Sequence, residues 1–205
     1  MLTIAKKDKY SILLIILVLF GIYHPSLISD YLYTDDYLYF FPKINDVRYE
    51  NYLTSDISKI WSYSINIGRP FLHYFILIGN KTITKISDAN ILRAFALAGL
   101  AAYSVLTYVW IRKNNQSTLY PLSVVILVVS TPSSVLSISW ITMNLGIYSI
   151  LLATISIFLV EKWINTKNWF VLVTALIILT LALNGYAVYG MMYWFFVLIK
   201  ISMLR

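Results

Sequence analysis

The sequence predicts an all-α, polytopic integral membrane protein of about six transmembrane helices, with one or two interfacial helices in its first outer loop. Three observations carry this. The 205-residue chain is 60% hydrophobic and only 12% charged, whereas a soluble domain is about 25% charged. Several of its charge-free runs approach the roughly 20 residues a helix needs to cross hydrocarbon. Finally, the basic residues cluster at the ends of those runs, where they set topology.

The elements follow in chain order. MLTIAKKDKY places three lysines ahead of an apolar run over residues 11–28. A cleaved signal peptide has a shorter apolar core and a small-residue cleavage site, so residues 1–29 read as an uncleaved signal-anchor span. Residues 30–90 hold seven of the nine acidic residues and read as an outer loop. Five further spans fill residues 91–205, making residues 1–205 one transmembrane domain. The second span covers 91–111 and is closed by RKNNQ. Residues 119–160 carry no charge, about twice the spanning length, which predicts two helices with a hairpin near 140–144 and a kink at Pro132; a turn at STPSS, 130–134, is the alternative, set aside because it leaves the first helix too short. The fifth span covers 169–183, Asn184-Gly185 makes a turn, and the sixth continues to about residue 199.

Charge placement fixes the expected orientation. KKDK, RKNNQ, EKWINTK and the tail around Lys200 and Arg205 fall on one side, and the short hairpins around Trp140 and Asn184 carry no charge. This positive-inside pattern puts the N-terminus in the cytoplasm and residues 30–90 outside. Within that loop, SDISKIWSYSINIG sets Ile57, Ile60, Trp61, Ser64 and Ile65 on one stripe, as an interfacial helix requires. PFLHYFILIGNKTITKI, with Lys81 and Lys85 in its second half, reads as a helix lying on the outer face rather than crossing. Ser87 or Asp88 is placed to cap the span that follows.

Composition also excludes. A net charge of +7 raises nucleic acid as a partner, but the cations form no stripe and no nucleic-acid motif occurs. The absence of cysteine rules out disulfides and thiol nucleophiles. His24 and His73 have no ligand spacing, so no metal is expected.

The candidate chemistry lies in the outer loop. Asp35 and Asp36 adjoin in YLYTDDYLYF. Neighbouring carboxylates repel, which raises the pKa of at least one and suits it to take a proton from an attacking hydroxyl. Equally, the pair stops a helix at the water boundary. Arg69, between Gly68 and Pro70, can bind a lipid phosphate bidentately or simply snorkel to headgroups. Lys81 and Lys85 attract phosphate. Tyr33 and Tyr37 flank the aspartates and can stack on a sugar ring, as belt aromatics do on headgroups. Trp61 and His73 face the same loop.

In order, the outer YTDD at 33–36, INIGRPFLHYF at 65–75 and the Ile-Ser-Asp before the next span resemble the bacterial O-antigen glucosyltransferases of serotype conversion, in the GT-C class of membrane glycosyltransferases. The resemblance is best over the first half of the chain. It implies a GT-C-like fold and the N-terminal part of a longer architecture. The implied activity is transfer of a glucosyl or other hexosyl group from undecaprenyl-phosphate glucose, or a similar polyprenyl-phosphate-linked sugar donor, to O-antigen lipopolysaccharide or another surface polysaccharide acceptor. The location would be the periplasmic face of the bacterial inner membrane, with membrane lipid around the chain and a flippase and a donor synthase as partners. Carried onto this chain, Asp35 or Asp36 is the general base and Arg69, with Lys81, holds the donor phosphate. Tyr33, Tyr37, Trp61 and His73 contact sugar or lipid. No cofactor and no metal are implied.

Two other readings stand beside it. One is a non-catalytic membrane subunit or remnant of a glycan-assembly complex. The other is a small transporter, which is disfavoured because the span interiors read as free of acidic and basic residues.

Overall fold

The computed structural model describes residues 6–29, 31, 62, 65–66, 71, 74, 86–113, 117–139, 144–191, 193–194 and 197. Among them every regular element is helical. Helix α1 is Lys6–Ile28. A 3₁₀ turn, Ile86–Asp88, leads into α2, Ala89–Lys113. The remaining helices are α3, Leu119–Val129, α4, Pro132–Ser139, α5, Asn144–Thr166, α6, Trp169–Gly185, and the short α7, Ala187–Gly190. Between α1 and the 3₁₀ turn, the described residues Ser62, Ile65, Asn66, Phe71 and Tyr74 are helical.

Among the described residues, three helices are long and apolar enough to cross a membrane: Asp8–Ile28 within α1, α2 with its leading turn, and α5. Helix α3 and α6 are apolar but shorter. The bundle turns on α2, which packs against α1, α3, α4 and α5, while α6 runs antiparallel to α5. Two contacts fix that last register: Ser156 Oγ donates to the Ala175 carbonyl at 2.8 Å, and Gly185 lies beside Ser149.

Helix α1 shows what kind of surroundings the bundle suits. Ser11, Ile15, Leu19 and Tyr23, four residues apart, form its buried stripe. The opposite face is just as apolar, with Leu13, Leu14, Leu17 and Phe20 exposed. A helix facing water carries charge on that side. Helix α6 repeats the pattern, exposing Phe170, Val173, Leu176 and Ile177.

The basic connections share one end of the bundle. Asp8, in the first turn of α1, accepts from Tyr108 at 3.0 Å and from Arg112 Nε at 2.9 Å. Glu161, near the end of α5, accepts from Trp110 Nε1 at 3.0 Å and lies 3.7 Å from Lys113 Nζ. The α5–α6 connection closes this end with Lys167 in the left-handed region, φ 53°, and Asn168 as N-cap, accepting from the Phe170 amide. We call this the basic end.

The charge-free run divides into two helix-bearing arms, separated between Ser139 and Asn144. Within its first arm, however, Pro132 does not kink one helix: it starts a second. Proline has no N–H, so the carbonyl four residues back, on Val128, loses its helical donor. The local sequence supplies replacements. Thr131 Oγ1 and Ser134 Oγ donate to the Val128 carbonyl at 2.8 and 2.9 Å, and the Thr131 amide does so at 3.3 Å. The next carbonyl, on Val129, accepts from the Tyr23 hydroxyl of α1 at 2.5 Å. Thr131 then caps α4 through the Ser134 amide, 3.4 Å away, with proline at the first helical position, where its missing donor does no harm.

The second turn also differs slightly from expectation. Asn184 and Gly185 are the last residues of α6, and the chain leaves the helix at Tyr186 in an extended conformation. Helix α7 then folds back against α5 and α6. Gly146 sits under the Tyr189 ring and Gly190 against the Ala182 backbone, approaches so close that a Cβ at either would collide.

Candidate functional site: a buried arginine at the opposite end

All eight residues singled out by sequence lie outside the described residues: Asp35, Asp36, Arg69, Lys81, Tyr33, Tyr37, Trp61 and His73. The nearest described neighbours are Tyr31, which precedes the aspartates, and Phe71 and Tyr74, which follow Arg69. The Phe71 and Tyr74 rings lie 6.4 Å apart.

What the structure does place is a residue that sequence reasoning passed over. Arg93 lies in the first turns of α2, inside the run read as a charge-free span interior, and its exposure is 0%. That reading of the span is therefore corrected. The guanidinium has five N–H donors in a planar fork and no acceptor, and it gathers oxygens from three helices. Nε donates to the Ser139 carbonyl at 3.2 Å. Nη1 reaches the Ser29 carbonyl at 2.9 Å, the Ser26 carbonyl at 3.2 Å and Asn90 Oδ1 at 3.0 Å. Nη2 donates to the Tyr31 carbonyl, and the guanidinium carbon lies 4.2 Å from the centre of the Tyr31 ring.

Helix chemistry explains why a cation settles there. The last four carbonyls of any helix have no partner within it, and aligned peptide dipoles make that end negative. Ser26 lies in the last turn of α1, and Ser139 is the last residue of α4. Two helix C-termini thus converge on one guanidinium carried by the start of α2. Around it, Ser26 Oγ and Ser139 Oγ lie 3.0 Å apart, Ser29 Oγ donates to the Pro25 carbonyl at 2.5 Å, and Asn144 Nδ2 donates to the Leu92 carbonyl at 3.2 Å.

Chemically this is an anchor. Its donors are engaged by backbone oxygens, so its evident effect is to fix Ser26, Ser29 and Tyr31, the segment that runs directly into Thr34-Asp35-Asp36. The one signal in the sequence was a lone arginine two residues inside an apolar run. Among the described residues, no three His, Asp or Glu side chains come together as a metal would require.

Among the described residues, fold and site together define a helical bundle with three helices fit to cross a membrane and a buried arginine closing one end. Comparison with protein-family models, with curated proteins and with solved structures finds no match for this chain.

Proposed function

We propose that this chain is a multi-span glycosyltransferase of the bacterial inner membrane, GT-C-like, acting at the outer face. It moves a glucosyl or other hexosyl group from a polyprenyl-phosphate donor to O-antigen or another surface polysaccharide. The supporting observation is the Arg93 anchor. It holds the Tyr31 backbone at the end of the bundle opposite the basic connections, and by the positive-inside rule that end faces outward. Asp35 follows Tyr31 by four residues, a reach of at most about 14 Å. In this reading the anchored Tyr31 keeps the carboxylate pair within that reach of the Arg93 end of the bundle.

The chemistry runs as one displacement. The acceptor hydroxyl oxygen attacks the anomeric carbon while Asp35 or Asp36 takes its proton. The bond from that carbon to the phosphate oxygen breaks, and the electron pair leaves on the polyprenyl phosphate. Arg69, aided by Lys81, offsets the negative charge that grows there. Tyr33, Tyr37, Trp61 and His73 line the path of sugar and lipid.

The test is glucosylation of surface polysaccharide in cells that depend on this chain. Asp35→Asn, Asp36→Asn and Arg69→Ala are compared at equal membrane abundance. At least one aspartate variant and the arginine variant are expected to lose 100-fold or more, in the range of a lost base or a lost charge stabiliser (about 10²–10⁴). Full activity in all three overturns the assignment.

A further inference from the structure

The break between α3 and α4 leaves a cavity of about 180 Å³ inside the bundle, between that break, α2, α5 and α7. Its floor is buried: Leu100, Ser137 and Ile147. Its rim is partly exposed, formed by Val128, Thr131 and Ile150. The cavity therefore opens sideways through the flank of the bundle. Its walls on α2 and α5 belong to two helices fit to cross a membrane.

Hydroxyl groups line one side, which at first suggests water. Their bonds say otherwise. Thr131 and Ser134 both donate to the Val128 carbonyl, and they lie 3.1 Å from each other. Ser137 Oγ and the Tyr189 hydroxyl lie 2.8 Å apart, one donating to the other. With these hydroxyls turned to partners within the wall, the rest of the lining is mainly apolar: Leu100, Val128, Ile147 and Ile150, with Tyr103 and Tyr189. A buried water needs two to four polar partners, and an apolar cavity of about 150 Å³ stays dry yet accepts benzene. This cavity therefore suits a stretch of about six carbons.

We propose that the cavity is a lipid site: it takes one acyl chain of a bilayer phospholipid, entering sideways past Val128 and Thr131. The bilayer phospholipid is favoured over rarer lipids by mass action, since occupancy rises with free ligand concentration. The chain seats against the α3–α4 break and stiffens it, which gives the Pro132 interruption a ligand to hold. None of its lining residues is assigned to sugar transfer, so the proposal stands or falls independently of that function.

Native mass spectrometry of the full chain, purified in mild detergent and washed through graded delipidation, tests this. Wild type is expected to retain one phospholipid per chain under washing that strips a control, Leu100→Phe, in which a ring fills the floor. A five-fold or larger drop in the lipid-bound fraction is expected there. Val128→Phe blocks the mouth from a partly exposed position and should give the same loss if the floor variant does not fold. Ile164→Phe, on the exposed flank of α5, should retain the lipid. The proposal is overturned if wild type retains no phospholipid, or if the filled and blocked variants retain it equally. It is also overturned if the retained molecule is a polyprenyl phosphate or another lipid in place of phospholipid.

Discussion

Arg93 concentrates in one side chain what two helix C-termini need. Without its guanidinium, the carbonyls of Ser26, Ser29, Tyr31 and Ser139 lose a shared donor in a buried place, and each orphaned buried group costs about 1–3 kcal/mol. Arg93→Leu should therefore destabilise the chain by about 3 kcal/mol or more, read as a lower unfolding midpoint in detergent. Arg93→Lys keeps the charge but brings three donors on one compact ammonium. It should recover only part of that stability and should leave the Ser29–Tyr31 segment loosened. Because the chain has no cysteine, a single cysteine at Thr34 reports this directly: its maleimide labelling should quicken in both variants. Unchanged labelling and an unchanged midpoint would show that Arg93 anchors nothing. Sequence reading missed this residue for a physical reason. A lone charge near the end of an apolar run looks like a boundary marker, and its backbone partners, all more than 40 residues away, come together only when α1, α2 and α4 pack.

The helices themselves were far more legible. The expected second span, 91–111, lies within α2 at Ala89–Lys113, and the expected fifth, 169–183, lies within α6 at Trp169–Gly185. Hydrophobic runs bounded by charge or turn residues carry that information locally. The Pro132 interruption was only half legible, because proline removes a donor whatever happens next. Whether the helix bends or restarts depends on what satisfies the freed carbonyls. Here Thr131 and Ser134 do so from nearby, and Tyr23 does so from α1. Tyr23→Phe leaves the Val129 carbonyl unanswered and should cost about 1 kcal/mol, seen as a small drop in the unfolding midpoint. Gly146→Leu should do more. It drives a side chain into the Tyr189 ring, so it should part α7 from α5 and break the Ser137–Tyr189 bond. The unfolding midpoint should fall further than in Tyr23→Phe, and adding Tyr189→Ala, which removes the ring, should recover part of the loss; an unchanged midpoint in Gly146→Leu would contradict the packing described.

At the scale of the whole molecule, the fold gathers basic connections at one end and the Arg93 anchor at the other. That polarity makes topology a sharp test. A membrane-impermeant maleimide applied to intact cells should label a cysteine at Thr34 and spare one at Lys167. The reverse pattern would put the aspartate pair in the cytoplasm. The proposed chemistry rests on a combination of short motifs, and the eight residues assigned to it lie outside the described residues. The most direct measurement of the central claim is turnover of a radiolabelled polyprenyl-phosphate glucose by membranes containing the chain, with surface polysaccharide as acceptor. Wild-type membranes should move label into polysaccharide and release polyprenyl phosphate in equal amount, while the Asp35→Asn, Asp36→Asn double variant should fall to background. Label transferred equally by wild type, the double variant and membranes lacking the chain would contradict the account.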